Sequence, residues 1–373
     1  MDLRTIAVPF GILGLGFLAT SFVQLGFCKP RKIFLWIGAF LVALAVVGAF
    51  QIIRSPPVDG DTVDETTPDV PVVPSTLPAI KRLQQEWDSE ERAAWPVAGT
   101  LAKISDLAYL PPVDAIEEFR NQGFSEYMPI VAGSMIGYVV SHDDVTVVVF
   151  RGTDFGETSD WLANISTSFE RTEHGGIHSG FYQAYLALQP QIEKLLGQRK
   201  SKHLWITGHS LGGALALVCA YDLTKAGRYN VDGVITFGQP MIARQDLASH
   251  IDQVLIGRLA RFVNDEDMVP RVPPGYAPCG SLIWFTSTGI RRSKPKRMMF
   301  STSADDNPPL VEDAEVPPMT EREFRMFQNE LRGKQPMRMQ QRTDASGQQY
   351  GAGPIEDHSM QLYVEKVRQI LGE

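Results

Sequence analysis

The chain has 373 residues, a formal net charge of −8 and 44% hydrophobic residues. This length allows one to three domains with a large core, and the acidic balance gives no reason to expect nucleic acid as a partner. The three cysteines, at positions 28, 219 and 279, have the spacing of neither a metal site nor a disulfide framework, so we expect free thiols and no bound metal.

The N-terminal part of the chain is strongly apolar. Residues 5–28 and 33–53 are almost uncharged, and each run reaches the roughly 20 residues that span a bilayer. Only Lys29-Pro30-Arg31-Lys32 separates them. The sequence therefore predicts a transmembrane hairpin over residues 1–54, with this basic loop in the cytoplasm and the rest of the chain on the non-cytoplasmic side. A cleaved signal peptide followed by a single anchor is the alternative.

A linker is predicted over residues 55–80, which combine acidic residues and repeated proline with little that could build a core. Residues 81–373 are predicted to form one domain. Its first elements are expected to be two helices, over residues 80–95 and 97–109, divided by Pro96.

Two β-rich runs follow, at residues 135–140 and 145–150. The second is apolar along most of its length, which is typical of a strand buried on both faces of a sheet. It leads into Arg151-Gly152-Thr153. A glycine and a hydroxyl residue at the end of a buried strand are suited to place a hydrogen-bond donor, Thr153, beside an oxygen that develops negative charge. A polar loop beside a core tryptophan, Trp161, is the alternative.

The stretch over residues 203–226 reads as a strand, a sharp turn and a helix, with Ser210 at the apex of Gly208-His209-Ser210-Leu211-Gly212. Such a turn needs Gly208 and Gly212 because the strand and helix backbones approach closely there. We expect the Oγ of Ser210 to be presented rather than buried. A tight structural turn is the alternative.

The helix that begins behind Ser210 directs its unpaired N–H groups and positive dipole end at the serine. The backbone N–H of Leu211 is therefore expected to stabilise negative charge on a substrate oxygen, together with Thr153.

Candidate acids follow a strand predicted over residues 259–263. Asp265, Glu266 and Asp267 stand just past its carboxyl end, where catalytic acids of such sheets lie, and Pro270 fixes the loop. Composition does not rank the three carboxylates.

One histidine, His358, follows this acid cluster and directly precedes a helix predicted over residues 359–371. In α/β-hydrolases the chain order is serine, acid, histidine, so His358 is predicted to be the general base. The other histidines considered as bases precede the acids: His174, His178, His203, His209 and His250.

Taken together, these residues resemble the class 3 (fungal-type) lipase family of α/β-hydrolases, from about residue 101 to the C-terminus. The matching pieces are Phe150-Arg151-Gly152-Thr153 with Asp160-Trp161, His178-x-Gly180-Phe181, Gly208-His209-Ser210-Leu211-Gly212-Gly213, Phe237-Gly238-Gln239-Pro240, Asp267-Met268-Val269-Pro270 and His358-Ser359-Met360. Any one piece is weak, but six in the family's order are hard to obtain by chance.

The resemblance implies an α/β-hydrolase fold, a mostly parallel central sheet flanked by helices. It implies Ser210 as the nucleophile, His358 as the base and an oxyanion hole from Thr153 and Leu211. It also selects Asp267 as the acid, because the family's acid is the one in Asp-x-Val-Pro.

Two segments depart from the family pattern. The family has a lid helix after the oxyanion loop, whereas residues 154–159 are short and polar. An insertion of about residues 291–350 begins with a basic run and contains a helix that a capping box, Thr320 with Glu323, starts and Gly333 ends. The apolar face of this helix is expected to dock on the domain, to cover the active site as a lid, or to touch the membrane.

The sequence thus predicts a membrane-anchored serine hydrolase, without cofactor or metal, that cleaves lipid esters through an acyl-enzyme on Ser210. Its expected partners are the lipid ester and the bilayer. The alternatives are an acyltransferase with the same triad and a membrane-anchored binding module that has lost catalysis.

Overall fold

The computed structural model describes residues 94–199, 201–293, 314–333, 342–343, 349–350 and 355–372. The predicted spans, residues 5–28 and 33–53, and the predicted linker over residues 55–80 lie outside these ranges. No helix within them is both long and apolar enough to cross a bilayer.

The described strands are, in chain order, β1 (Glu126–Ala132), β2 (Met135–His142), β3 (Val145–Phe150), β4 (Phe169–Thr172), β5 (Gly175–His178), β6 (His203–His209), β7 (Gly233–Phe237), β8 (Leu259–Asn264), β9 (Ser281–Thr286), β10 (Gly289–Arg292), β11 (Arg342–Thr343) and β12 (Gln349–Tyr350). Eight of them form the central sheet in the order β1-β2-β3-β6-β7-β8-β9-β10. The neighbours from β3 through β6, β7 and β8 to β9 are parallel, and the outer pairs are antiparallel. The predicted mostly parallel sheet is confirmed.

The described helices are α1 (Ala94–Leu107), α2 (Pro112–Asn121), α3 (Phe155–Asn164), α4 (Ser179–Gly197), α5 (Leu211–Lys225), α6 (Gln245–Val254), α7 (Glu321–Gly333) and α8 (Met360–Leu371). Pro96 was expected to separate two helices, but it lies in the first turn of α1. A proline is tolerated there because the first N–H groups of a helix have no intrahelical acceptor.

Helices cover both faces of the sheet because its inner strands are apolar on both sides. All six residues of β3 are buried. Val148 and Phe150 pack in a core with α4, α5 and α6, while Val147 and Val149 pack in a second core with α1 and α8. This alternation follows from the two-residue period of a strand.

The segment after β3 differs from expectation. Residues 154–159 are short and polar and were expected to depart from the family's lid helix, but the helix α3 begins at Phe155. Helix α7 of the insertion contacts α3 and satisfies carbonyl groups at its end: Gln328 Nε2 donates to Leu162 O at 3.2 Å and to Ile165 O at 3.1 Å. Tertiary contact at this end supports a helix that composition alone disfavours.

The start of α7 was predicted correctly. Glu323 N donates to Thr320 Oγ1 at 3.2 Å, and Thr320 N donates to Glu323 Oε2 at 2.8 Å, which is the reciprocal pattern of a capping box. Phe324 is buried in the same core as Met319. Of the three surfaces considered for its apolar face, this helix therefore uses the domain itself.

Candidate active site

Ser210 lies at a sharp turn between β6 and α5. Its backbone has φ 57° and ψ −130°, a region that residues other than glycine rarely adopt. Ser210 N donates to Phe237 O at 3.0 Å, and Gly213 N donates to Ser210 O at 2.9 Å. The neighbouring strand and the first turn of α5 thus hold the strained residue from both sides.

Gly208 and Gly212 stand where three backbones meet. A Cβ on Gly208 would lie 2.4 Å from the carbonyl oxygen of Gly212, and a Cβ on Gly212 would lie 2.2 Å from the carbonyl oxygen of Phe150. Both contacts are with backbone, which cannot rotate away as a flexible side chain can. These positions accept only glycine without a shift of β3, β6 or α5.

Gly212→Ala should lower the free energy of unfolding by about 3 kcal/mol, because the added methyl group overlaps the end of β3. Gly197→Ala is the matched control: its nearest neighbour, Tyr229 Oη, is 3.8 Å from the added atom, so stability should change by less than about 1 kcal/mol. Urea unfolding of both variants measures the difference, and equal stabilities would contradict the close approach at Gly212.

Ser210 is less exposed than the sequence predicted. Its Oγ was expected to be presented, but Ser210 is 0% exposed. Gly152 lies directly against it, since a Cβ there would be 3.1 Å from Ser210 Cβ. A substrate can reach Oγ only after part of the surrounding chain moves.

Asp267 and His358 are brought together although 91 positions separate them. Asp267 Oδ2 accepts from His358 Nδ1 at 2.8 Å, and Asp267 Oδ1 accepts from Val269 N at 2.9 Å. Both side chains are buried, whereas Glu266 is exposed and Asp265 only half-buried. The geometry thus favours Asp267 among the three carboxylates, as the resemblance does.

His358 Nδ1 carries the proton in this pair because a carboxylate accepts hydrogen bonds. Its Nε2 is then unprotonated in the neutral ring and is the atom available as a base. Both His358 Nε2 and Ser210 Oγ are buried, and neither has a hydrogen-bond partner within the described ranges. No hydrogen bond joins them in this structure; such bonds are often formed only with substrate present.

Tyr363 on α8 is a member of this cluster that the sequence analysis missed. Its hydroxyl donates to Asp267 Oδ2 at 2.6 Å and accepts from Asn264 N at 2.9 Å. Burial, together with the charge of Asp267, raises the pKa of Tyr363 well above its usual value, so the phenol keeps its proton. In the sequence, Tyr363 looks like an ordinary core residue, because it lies beside Val364 and Val367 on the buried face of α8.

Further bonds join the acid loop to the segment that carries His358. Asn264 Nδ2 donates to Asp357 O at 3.0 Å, and Glu266 N donates to Asp357 Oδ2 at 3.4 Å. Burial, followed by the charge of Asp265, raises the pKa of Asp357 to about 7. The two loops therefore form one unit around the imidazole.

The predicted oxyanion donors belong to the two segments next to Ser210. Leu211 is the first residue of α5, so its N–H has no acceptor within the helix. Thr153 follows Gly152, the residue packed against Ser210. The roles of these two donors and of Ser210, Asp267 and His358 remain predictions. Within the described ranges, no group of three His, Cys, Asp or Glu residues could hold a metal ion.

Comparison with known proteins identifies the region around this site. Residues 147–277 match the family model described as lipase (class 3). This part of the chain belongs to the class 3 lipase family. The match includes Ser210 and Asp267 and ends before His358.

Curated lipases are similar to part of the chain. A lipase of Rhizomucor miehei is 32% identical over 169 residues, which cover 42% of this chain and 44% of that protein. A secreted mono- and diacylglycerol lipase of Malassezia restricta is 35% identical over 115 residues, 29% of this chain and 38% of that protein. The chain thus spans less than half the length of these relatives.

Among solved structures, the triacylglyceride lipase of Rhizomucor miehei is 26% identical to this chain, with a TM-score of 0.39. The alignment covers 44% of this chain and 66% of that one.

The predicted location as an integral membrane protein, with the catalytic domain on the non-cytoplasmic side, is contradicted. The similar lipases of Malassezia restricta and Malassezia globosa are named as secreted proteins. In addition, the described part of the chain contains no helix suited to span a bilayer. The bilayer, which was also expected as a partner, is not supported by these comparisons.

Proposed function

We propose that this protein is a serine hydrolase that cleaves carboxylic esters of lipids through an acyl-enzyme on Ser210. The observation that carries the proposal is the buried pair of Asp267 and His358, in which Asp267 Oδ2 lies 2.8 Å from His358 Nδ1. In the same chain, Ser210 occupies a strained turn between a strand and a helix. Membership of residues 147–277 in a lipase family supports ester hydrolysis as the reaction.

In the proposed reaction, Ser210 Oγ attacks the ester carbonyl carbon while His358 Nε2 takes its proton. Thr153 and Leu211 N donate hydrogen bonds to the resulting oxyanion. Each donor stabilises the transition state by about 3 kcal/mol. The tetrahedral intermediate then expels the alcohol oxygen, which takes the proton from His358. A water molecule attacks the acyl-enzyme by the same route, and the carboxylic acid leaves as Ser210 regains its proton.

Asp267 acts in this scheme by holding the imidazole of His358 in the tautomer whose Nε2 can accept a proton. It also stabilises the imidazolium that forms during each proton transfer. Tyr363 and Val269 hold the carboxylate itself through bonds of 2.6 and 2.9 Å.

The proposed substrates are acylglycerols, because mono- and diacylglycerol lipases are among the similar proteins. Long acyl chains are proposed because they bury more apolar surface than short ones. We also propose that residues 81–373 form the catalytic domain, with residues 291–350 as an insertion in it.

Assays of the full chain on emulsified acylglycerols, phospholipids and short esters test this substrate class. Long-chain acylglycerols should be hydrolysed at least tenfold faster than acetate or butyrate esters, since a longer chain buries more apolar surface in the transition state. A strong preference for acetate or butyrate esters would contradict the proposal.

Two further measurements distinguish the alternative functions, acyl transfer and binding without catalysis, from hydrolysis. An added alcohol or lysolipid that captures most of the acyl group in place of water would identify an acyltransferase. Failure of a fluorophosphonate to label Ser210, together with absent ester turnover, would identify a binding module.

A further inference from the structure

A second histidine, His209, lies next to the candidate catalytic cluster. Its ring centroid is 4.5 Å from that of His358, and its Nε2 lies 2.7 Å from the backbone carbonyl oxygen of His358. On the other side, its Nδ1 lies 2.7 Å from the hydroxyl of Tyr109, which follows α1. His209 is 4% exposed and uses both ring nitrogens for these contacts.

The partners determine the tautomer of His209. A carbonyl oxygen only accepts hydrogen bonds, so Nε2 must carry a hydrogen and donate to His358 O. Burial, followed by the nearby charge of His358, lowers the pKa of His209 well below its usual value, so the ring is neutral. A neutral ring with a hydrogen on Nε2 has none on Nδ1, and Nδ1 therefore accepts from the hydroxyl of Tyr109.

Tyr109 also contacts the oxyanion side of the cluster. A Cβ on Gly152 would lie 2.2 Å from Tyr109 Oη and 2.6 Å from the carbonyl oxygen of His209. Burial, followed by the charge of Asp154, raises the pKa of Tyr109, so the phenol keeps its proton. The phenol therefore packs against Gly152 and donates to His209.

We propose that Tyr109 and His209 are positioning residues of the active site: they form one hydrogen-bonded chain to His358 O, and the packing of Tyr109 against Gly152 fixes the loop of Thr153 relative to that chain. This inference rests on the serine hydrolase function proposed above. These contacts run from Gly152 through Tyr109 and His209 to His358 O. They join four parts of the molecule: the segment after β3, the segment after α1, the end of β6 and the segment before α8.

The neutral state of His209 matters for the proposed reaction. When His358 takes the proton of Ser210, a positive charge forms on a ring 4.5 Å from His209. A neutral His209 leaves that charge undisturbed, whereas a protonated one would oppose it. The titratable groups that face His209 are Tyr109, His358 and Tyr363, whose ring lies 5.8 Å away. The hydroxyl of Tyr363 donates its hydrogen bond to Asp267 and not to His209.

Tyr109→Phe should lower kcat roughly tenfold and leave KM within about twofold, because loss of the hydroxyl removes the hydrogen bond to His209 and the contact with Gly152, while no substrate contact is removed. Tyr185→Phe is the matched control. Tyr185 is 0% exposed and donates to Asp222 Oδ2 at 2.7 Å on α5, so this variant also loses a buried tyrosine hydrogen bond. Its kcat should equal that of the wild type, although both variants lose some stability.

His209→Gln and the double variant test whether the two residues act as a unit. The double variant should lose about as much kcat as the more damaging single variant, because breaking either link breaks the chain. Losses that multiply would overturn the proposal. So would a Tyr109→Phe enzyme that unfolds at the temperature of the Tyr185→Phe enzyme and keeps full kcat.

Long-range ¹H–¹⁵N NMR of the ¹⁵N-histidine-labelled protein gives a readout that is independent of turnover. In the wild type, His209 should remain the neutral tautomer with its hydrogen on Nε2 between pH 6 and 8, and in Tyr109→Phe it should mix tautomers or titrate. An unchanged His209 signal in Tyr109→Phe would overturn the inference. If the wild type shows neither ester turnover nor fluorophosphonate labelling, the proposed function fails instead.

Discussion

Ser210→Ala should lower kcat for ester hydrolysis by roughly four to six orders of magnitude. No other step of the proposed reaction proceeds without the acyl-enzyme, so the remaining rate is that given by substrate binding and the oxyanion donors alone. KM should change little because Oγ forms its bond only as the reaction proceeds. Steady-state kinetics on one acylglycerol and one soluble ester measure the loss, and a fluorophosphonate should label the wild type and not the variant.

Ser249→Ala controls for the effect of removing a serine hydroxyl. Ser249 lies on the exposed side of α6, where its Oγ donates to Gln245 O at 2.9 Å. This variant should keep full activity and full labelling. The assignment of Ser210 would be wrong if Ser210→Ala retained near wild-type turnover with unchanged labelling at another serine.

The sequence predicted the centre of the sheet because its strands are apolar on both faces. The buried residues of β3 and the run before Ser210 are such segments. It did not predict α3, whose residues 156–160 are Gly or polar and whose last carbonyls are satisfied by Gln328 from far along the chain. Contacts between residues 163 and 166 positions apart leave no local signal in the sequence.

The order of residues along the chain predicts part of the candidate site. Ser210 and His358 follow from the strand, turn and helix pattern and from the position of the last histidine. The choice of Asp267 over Asp265 depends on the backbone of the loop: Asp265 has φ 38°, and Asp267 N donates to Asn264 O at 2.9 Å. Composition does not encode that geometry, and only the family resemblance pointed to Asp267.

The supporting groups were missed for a different reason. Tyr363 and His209 are buried and Tyr109 is partly buried, at positions where the sequence indicates core or part of a turn. Their function depends on a hydroxyl or ring nitrogen that meets its partner only after the chain has folded. His209 was not predicted to be the base because it precedes the acids in the chain, and the structure gives it contacts with Tyr109 and His358 instead.

Asp267→Asn should lower kcat by roughly 10⁴ while the protein stays folded. An asparagine can donate through its amide nitrogen to His358 Nδ1 and so favour the tautomer whose Nε2 carries a hydrogen. That tautomer cannot accept the proton of Ser210. The lost negative charge also removes stabilisation of the imidazolium, which sits beside the carboxylate at 2.8 Å. Kinetics and the rate of fluorophosphonate labelling should fall together.

Asp265→Asn is the matched control, because it removes the same charge from the same loop two residues away. Asp265 is half-buried, and its side chain has no hydrogen bond to the His358 ring. Loss of the Asp265 charge should change kcat by less than about threefold, because a charge at the edge of the loop acts on the imidazole only through screened electrostatics. Equal losses in the two variants would mean that net charge, and not the bond from His358 Nδ1 to Asp267, governs the activity of the base.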